Sequence, residues 1–182
     1  RSKGLKDLTK EQKDLLFNNK NFCVLPWISL MIDTKSNVSP CCIYRGEPSG
    51  NCSKDRLEDI WNNQSQQDIR TTMLNDETVS GCSRCIHQEE LGKDSLRISS
   101  NVTFLKHIHI AEKSVTPEYD IKYIDSRFNN LCNLSCRSCG HWASSSWHAP
   151  GVAIGLIDKS TPVFLKTGRS NTDLYDQILQ QL

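Results

Sequence analysis

Cys132, Cys136 and Cys139 lie within eight residues, spaced C-x3-C-x2-C in the stretch Arg127-Phe-Asn-Asn-Leu-Cys-Asn-Leu-Ser-Cys-Arg-Ser-Cys-Gly140. Thiolates this close on one loop can converge on the several irons of a single iron–sulfur cluster. Three local thiolates on a four-iron cubane leave one iron for a distant residue or for a bound ligand. With nine cysteines in 182 residues, the spacing arises by chance on the order of 0.02 times per chain, so it carries information.

Cys23, Cys41, Cys82 and Cys85 form a second set. Cys82 and Cys85 make a C-x2-C knuckle on a turn opened by Gly81, a geometry that points two thiolates at one metal or cluster. Apolar runs at 22–33 and 38–44 flank the polar break Thr34–Asn37 and predict a β-hairpin, which brings Cys23 near Cys41. Four thiolates would close a site completely, as an iron–sulfur cluster or as tetrahedral zinc. Cys42 competes with Cys41 for the role, because adjacent strand residues point to opposite faces. Cys52 falls in a loop and reads as a free thiol. The five histidines lack a ligand spacing supported by a carboxylate; His141, two residues past Cys139, is the one nearest the chemistry.

The elements around these sets follow from capping and periodicity. Thr9-Lys-Glu-Gln12 predicts a capping box and a short helix. The Leu57, Ile60, Trp61, Ile69 and Met73 stripe predicts one helix from Asp55 to about Leu74, with Trp61 in the core. Residues 89–115 are compatible with helix, although Lys106–Ile110 alternates like a strand. Tyr119–Asp125 predicts a strand leading into the Cys132 loop, Gly140–Gly151 a Ser/Trp/His-rich loop or loose helix start, and Asn171–Leu182 a capped helix.

Lys and Arg number 22 against 21 Asp and Glu, so charge makes no case for nucleic acid or an anionic membrane. No run approaches the ~18 apolar residues of a membrane span, and no charged-then-apolar signal segment opens the chain. An odd cysteine count without such a signal favours reduced thiols and a cytoplasmic setting over a disulfide framework. The chain starts without Met and ends inside a predicted helix, so it reads as a piece of a longer protein.

The stretch from Asp125-x-Arg127 to Gly140, with Asn133 after the first cysteine, resembles the cluster loop of the radical S-adenosylmethionine (SAM) family, where C-x3-C-x2-C follows the first barrel strand. The resemblance implies that Cys132, Cys136 and Cys139 ligate three irons of a [4Fe–4S] cluster and that SAM chelates the fourth. Cys23, Cys41, Cys82 and Cys85, with Val38-Ser-Pro-Cys-Cys42 and Leu57-Glu-Asp-Ile-Trp-Asn62, resemble the SPASM/twitch auxiliary-cluster module, implying a second [4Fe–4S] cluster. The resemblance covers about half the chain, 22–85 and 119–140. It departs from the family at Ser36, where Gly is usual, and at Ser138, where a bulky SAM-facing residue is usual. The module also precedes the barrel motif, and no Gly-Gly-Glu-Pro segment is present.

The fold class expected is therefore α/β (α+β overall). An N-terminal helix (1–21) would precede a hairpin-plus-helix, twitch-like module (22–92). A connector (93–117) would lead to the first βα unit (118–182) of a partial (βα)6 barrel. The resemblance implies reductive cleavage of SAM to a 5′-deoxyadenosyl radical that abstracts hydrogen from a peptide or small molecule. It further implies SAM contact at Ser138 and an electron donor such as flavodoxin or ferredoxin. A zinc-stapled, non-catalytic interaction module and an iron–sulfur electron carrier are the alternatives.

Overall fold

The computed structural model describes residues 4–168 and 171–180. Helix α1 (Lys10–Phe17) begins as its sequence predicts. The Thr9 hydroxyl accepts from the Gln12 N–H at 3.1 Å, and the Gln12 side chain accepts from the Thr9 N–H at 3.3 Å, so two otherwise orphaned donors are satisfied reciprocally. The one-turn helix α2 (Leu25–Ile28) carries Pro26 in its first turn, where a missing N–H loses nothing.

The predicted hairpin forms from β1 (Ser29–Ile32) and β2 (Asn37–Ser39). A two-residue strand, β3 (Gly50–Asn51), extends it on one side. Where one helix was expected over 55–74, the chain makes α3 (Leu57–Trp61) and α4 (Gln64–Leu74). Two asparagines cause the break. Asn63 caps α4 by accepting from the Gln66 N–H at 3.1 Å, and the Asn62 amide donates to the Pro117 carbonyl at 2.8 Å. Short polar side chains compete with the helix for hydrogen bonds, and here they win.

A 3-10 turn (Ser80–Cys82) runs into α5 (Ser83–Glu90), followed by α6 (Leu96–Thr103) and α7 (Ile108–Lys113). The alternating Lys106–Ile110 segment is not a strand. Ile108 and Ala111, one helical turn apart, bury in the core, and the His109 ring bonds the Lys106 carbonyl at 2.8 Å.

Strand β4 (Tyr123–Ser126) starts later than the strand expected over 119–125. Tyr119 instead packs edge-on against Trp61, ring centroids 5.9 Å apart. Strand order is β3-β2-β1-β4, antiparallel except for the parallel β1·β4 pair, whose register runs from Ser29↔Tyr123 to Ile32↔Ser126. Helices α8 (His148–Ala153) and α9 (Asn171–Leu179) follow. Residues 181 and 182 of the expected last helix lie outside the described residues.

The core has two centres. Phe22, Trp27, Ile28, Ile69, Met73 and Ile108 make one. Leu30, Ile32, Val38, Leu57, Trp61 and Leu174 make the other. The second also takes in Cys52, a free thiol on the turn after β3 as expected, which is nonetheless 4% exposed and packs as a small apolar side chain. Between the centres lies Arg70, fully buried. It donates to the carbonyls of Pro26, Trp61 and Val115 and to the Asn62 side chain at 2.7–2.9 Å, and its guanidinium lies over the Trp61 ring at 5.1 Å. Burial pulls its pKa down to about 10, which leaves it charged at neutral pH.

Candidate metal centre

Cys23 precedes α2, Cys41 follows β2, Cys82 ends the 3-10 turn and Cys85 sits on α5; all four line one cavity. The hairpin does what the sequence predicts, carrying Cys41 back alongside the start of β1: the Ser29 hydroxyl donates to the Pro40 carbonyl at 2.9 Å. Cys42 faces away, toward a second cavity that it lines with Asp125. Among the described residues no three Cys, His, Asp or Glu side chains converge on a point that would hold one metal ion. The cavity is tight, about 20 Å³, so a body larger than one ion would require the cysteine side chains to rotate.

The electrostatics fit a cationic occupant. Burial, reinforced by the neighbouring sulfurs, pushes the Cys23 thiol far up, Cys82 to about 12 and Cys41 to about 11. At neutral pH these three are thiols, and gathering thiolates here takes the positive charge of a metal body. Arg97 of α6 lines the same cavity, ion-paired with Glu89. Burial raises the Glu89 pKa, but hydrogen bonds from Arg97 and Ser95 override that and hold the carboxyl below its ordinary range.

Two residues of α6 also fix Cys23 through its neighbours. Arg97 Nη1 and Asn101 Nδ2 both donate to the Phe22 carbonyl at 3.0 Å, and Asn101 Oδ1 accepts from the Val24 N–H at 2.8 Å. Sequence reasoning placed α6 in a connector and missed both. Gly81 is required by close approach: a Cβ there would lie 2.2 Å from the Tyr44 ring and 2.7 Å from the Gly46 nitrogen.

The Cys132 loop is more open. Cys132 and Cys139 are half-buried and Cys136 is exposed, with the Cys139 N–H donating to the Cys136 carbonyl at 3.0 Å. The serine-rich run behind it holds the backbone. Ser144 Oγ donates to the Leu134 carbonyl at 2.6 Å, Ser146 Oγ to the Cys132 carbonyl at 2.9 Å, and the Trp147 indole to the Cys136 carbonyl at 3.1 Å. Asn130, fully buried, closes the loop's base by donating to the His141 and Val163 carbonyls and accepting from the Leu165 N–H. None of this was predicted beyond a Ser/Trp/His-rich loop; the density of hydroxyls next to the cysteines was the available clue. Ser138 is exposed. Beside Cys139 opens a cavity of about 630 Å³ walled by Trp142, Trp147, Ile154 and Leu156.

The two histidines near the Cys132 loop are hydrogen-bonded to backbone carbonyls. His141 Nε2 bonds the Val163 carbonyl at 3.0 Å and His148 Nε2 the Thr161 carbonyl at 2.8 Å. Among the described residues no helix is long and apolar enough to cross a membrane.

Comparison with known families gives one finding. Residues 23–86 match the family model of SPASM, an iron–sulfur cluster-binding domain. That span contains Cys23, Cys41, Cys82 and Cys85, so the part of the chain that gathers these four cysteines is similar to an iron–sulfur cluster-binding domain. No curated protein and no solved structure matches the chain significantly.

Proposed function

We propose that this chain belongs to a radical SAM enzyme in which Cys23, Cys41, Cys82 and Cys85 hold an auxiliary [4Fe–4S] cluster and Cys132, Cys136 and Cys139 hold the SAM-binding one. The observation that carries the reading is the gathering of the four upstream cysteines around one buried cavity inside the SPASM span, with a three-thiol loop downstream. A [4Fe–4S] cluster with one iron left for SAM supplies one-electron cleavage of the sulfonium, yielding a 5′-deoxyadenosyl radical that abstracts hydrogen from a substrate carbon.

The residues supply position and environment. Asn101 and Arg97 hold the backbone on either side of Cys23, and the buried apolar wall excludes water from its set. Ser144, Ser146 and Trp147 engage the carbonyls of the Cys132 loop and hold its backbone. Asn130 keeps the loop's two ends together. Ser138 would face SAM, and a flavodoxin or ferredoxin would deliver the electron.

Oxygen-free purification, iron and sulfide quantification, and electron paramagnetic resonance with and without SAM test the reading. About eight irons per chain and a SAM-dependent signal are expected. Zinc without iron overturns it in favour of an interaction module. Two clusters that do not respond to SAM overturn it in favour of an electron carrier.

A further inference from the structure

A second cavity, about 260 Å³, lies on the face of the sheet that carries Ser29 and Met31. Its lining mixes Leu25, Met31, Leu96 and Phe104 with Cys42, Tyr123, Asp125 and several serine and threonine residues. Leu25, Cys41 and Leu96 line both this cavity and the four-cysteine one, so the two share a wall.

The position of Asp125 makes this cavity selective. β4 pairs Asp125 with Met31, which puts the carboxylate over the sheet among apolar side chains. Among the described residues no Lys or Arg forms an ion pair with it. Arg127, two residues on, points its guanidinium over the Trp142 ring at 4.6 Å and does not line the cavity. Cys42 lines the cavity with Asp125, and a thiol is at most a weak donor to a carboxylate. A cation completes such a site, because charge-assisted hydrogen bonds are the strong ones. The volume falls just under the ~300–1,000 Å³ of pockets that bury drug-sized ligands, so the occupant is the size of one amino-acid side chain.

We infer that this cavity binds an alkyl or aryl ammonium: an apolar body against Leu96 and Phe104 and a primary ammonium on Asp125. Either a free amine or a lysine side chain of a peptide supplies that chemistry. The inference concerns binding alone and stands whether or not the chain responds to SAM.

Cys42 reports occupancy directly. The full chain is treated with iodoacetamide, and alkylation of Cys42 is followed by peptide mass spectrometry with n-pentylamine, a capped Ala-Lys-Ala tripeptide, or 1-pentanol present. The amine or the lysine peptide slows Cys42 alkylation, whichever is stronger identifying the source, and 1-pentanol at equal concentration leaves it unchanged. Asp125→Asn weakens the protection about tenfold or more. Thr103→Trp, at an exposed position on the cavity's rim, blocks binding with an unchanged melting temperature. Equal protection by 1-pentanol, no protection by either cation, or unaltered protection in Asp125→Asn or in Thr103→Trp overturns the inference.

Discussion

Ser36 holds φ at +68° in the hairpin turn, in the left-handed region that disfavours side chains by roughly 1–2 kcal/mol. Its hydroxyl accepts the Gly168 N–H at 2.8 Å. The strain and the hydrogen bond, worth about 0.5–1.5 kcal/mol, are of similar size. Ser36→Gly is therefore expected to change stability in urea by less than about 1 kcal/mol, while amide exchange at Gly168 speeds up. A loss of several kcal/mol would show that Ser36 does more than tie the turn to residue 168. The cysteines differ just as individually. With its thiol raised to about 11, Cys41 has about 100-fold less thiolate at pH 8 than a thiol at the ordinary value near 9. In metal-free chain, alkylation of exposed Cys136 is expected to be fast, and alkylation of Cys41 slow until the pH approaches 11. Equal rates at pH 8 would contradict the burial of Cys41.

At the scale of elements, each cysteine set leans on one short segment. Gly81 lets the 3-10 turn approach Tyr44 and Gly46, so Gly81→Ala is expected to lower iron at the upstream set, toward about four irons per chain, with every thiol retained. Ser144→Ala with Ser146→Ala releases carbonyls of the Cys132 loop and is expected to remove the complementary half, abolishing any SAM-dependent resonance signal. If both variants lost the same cluster, the two-site assignment would fail. The capping box at Thr9, the hairpin and the C-x2-C knuckle were legible because each is encoded over a few adjacent residues. Asn101 was not: it bonds Val24 and Phe22 across 77 and 79 residues of sequence, and no local pattern announces a partner that far away. The break at Asn62–Asn63 was legible in composition but hidden by an apolar stripe that continues across it.

For the molecule as a whole, Arg70 joins α2, the end of α3 and the segment after α7 through three carbonyls. Arg70→Met keeps much of the volume and removes a buried charge, yet strands those acceptors at about 1–3 kcal/mol each. The net expectation is a destabilisation of about 3 kcal/mol, read by thermal and urea unfolding. A neutral or stabilising result would mean the carbonyls find other donors. Nothing in the sequence distinguishes Arg70 from a solvated helix arginine; its role exists only once three distant segments have met around it.

The parallel pairing of β1 with β4 also fixes a distance. Cys23 and Cys41 lie at the N-terminal end of β1, whereas the Cys132 loop leaves the C-terminal end of β4. Parallel strands put those ends at opposite edges of the pair, three residue steps or about 10 Å apart along the strands, with the connecting segments adding more. If both sets hold clusters as proposed, an electron passing between them would travel at least that offset, past the cavity lined by Asp125. An antiparallel β4 would have brought the sets to the same edge. Strand direction, a property no cysteine encodes, thus sets how far apart the two redox centres of such an enzyme would work.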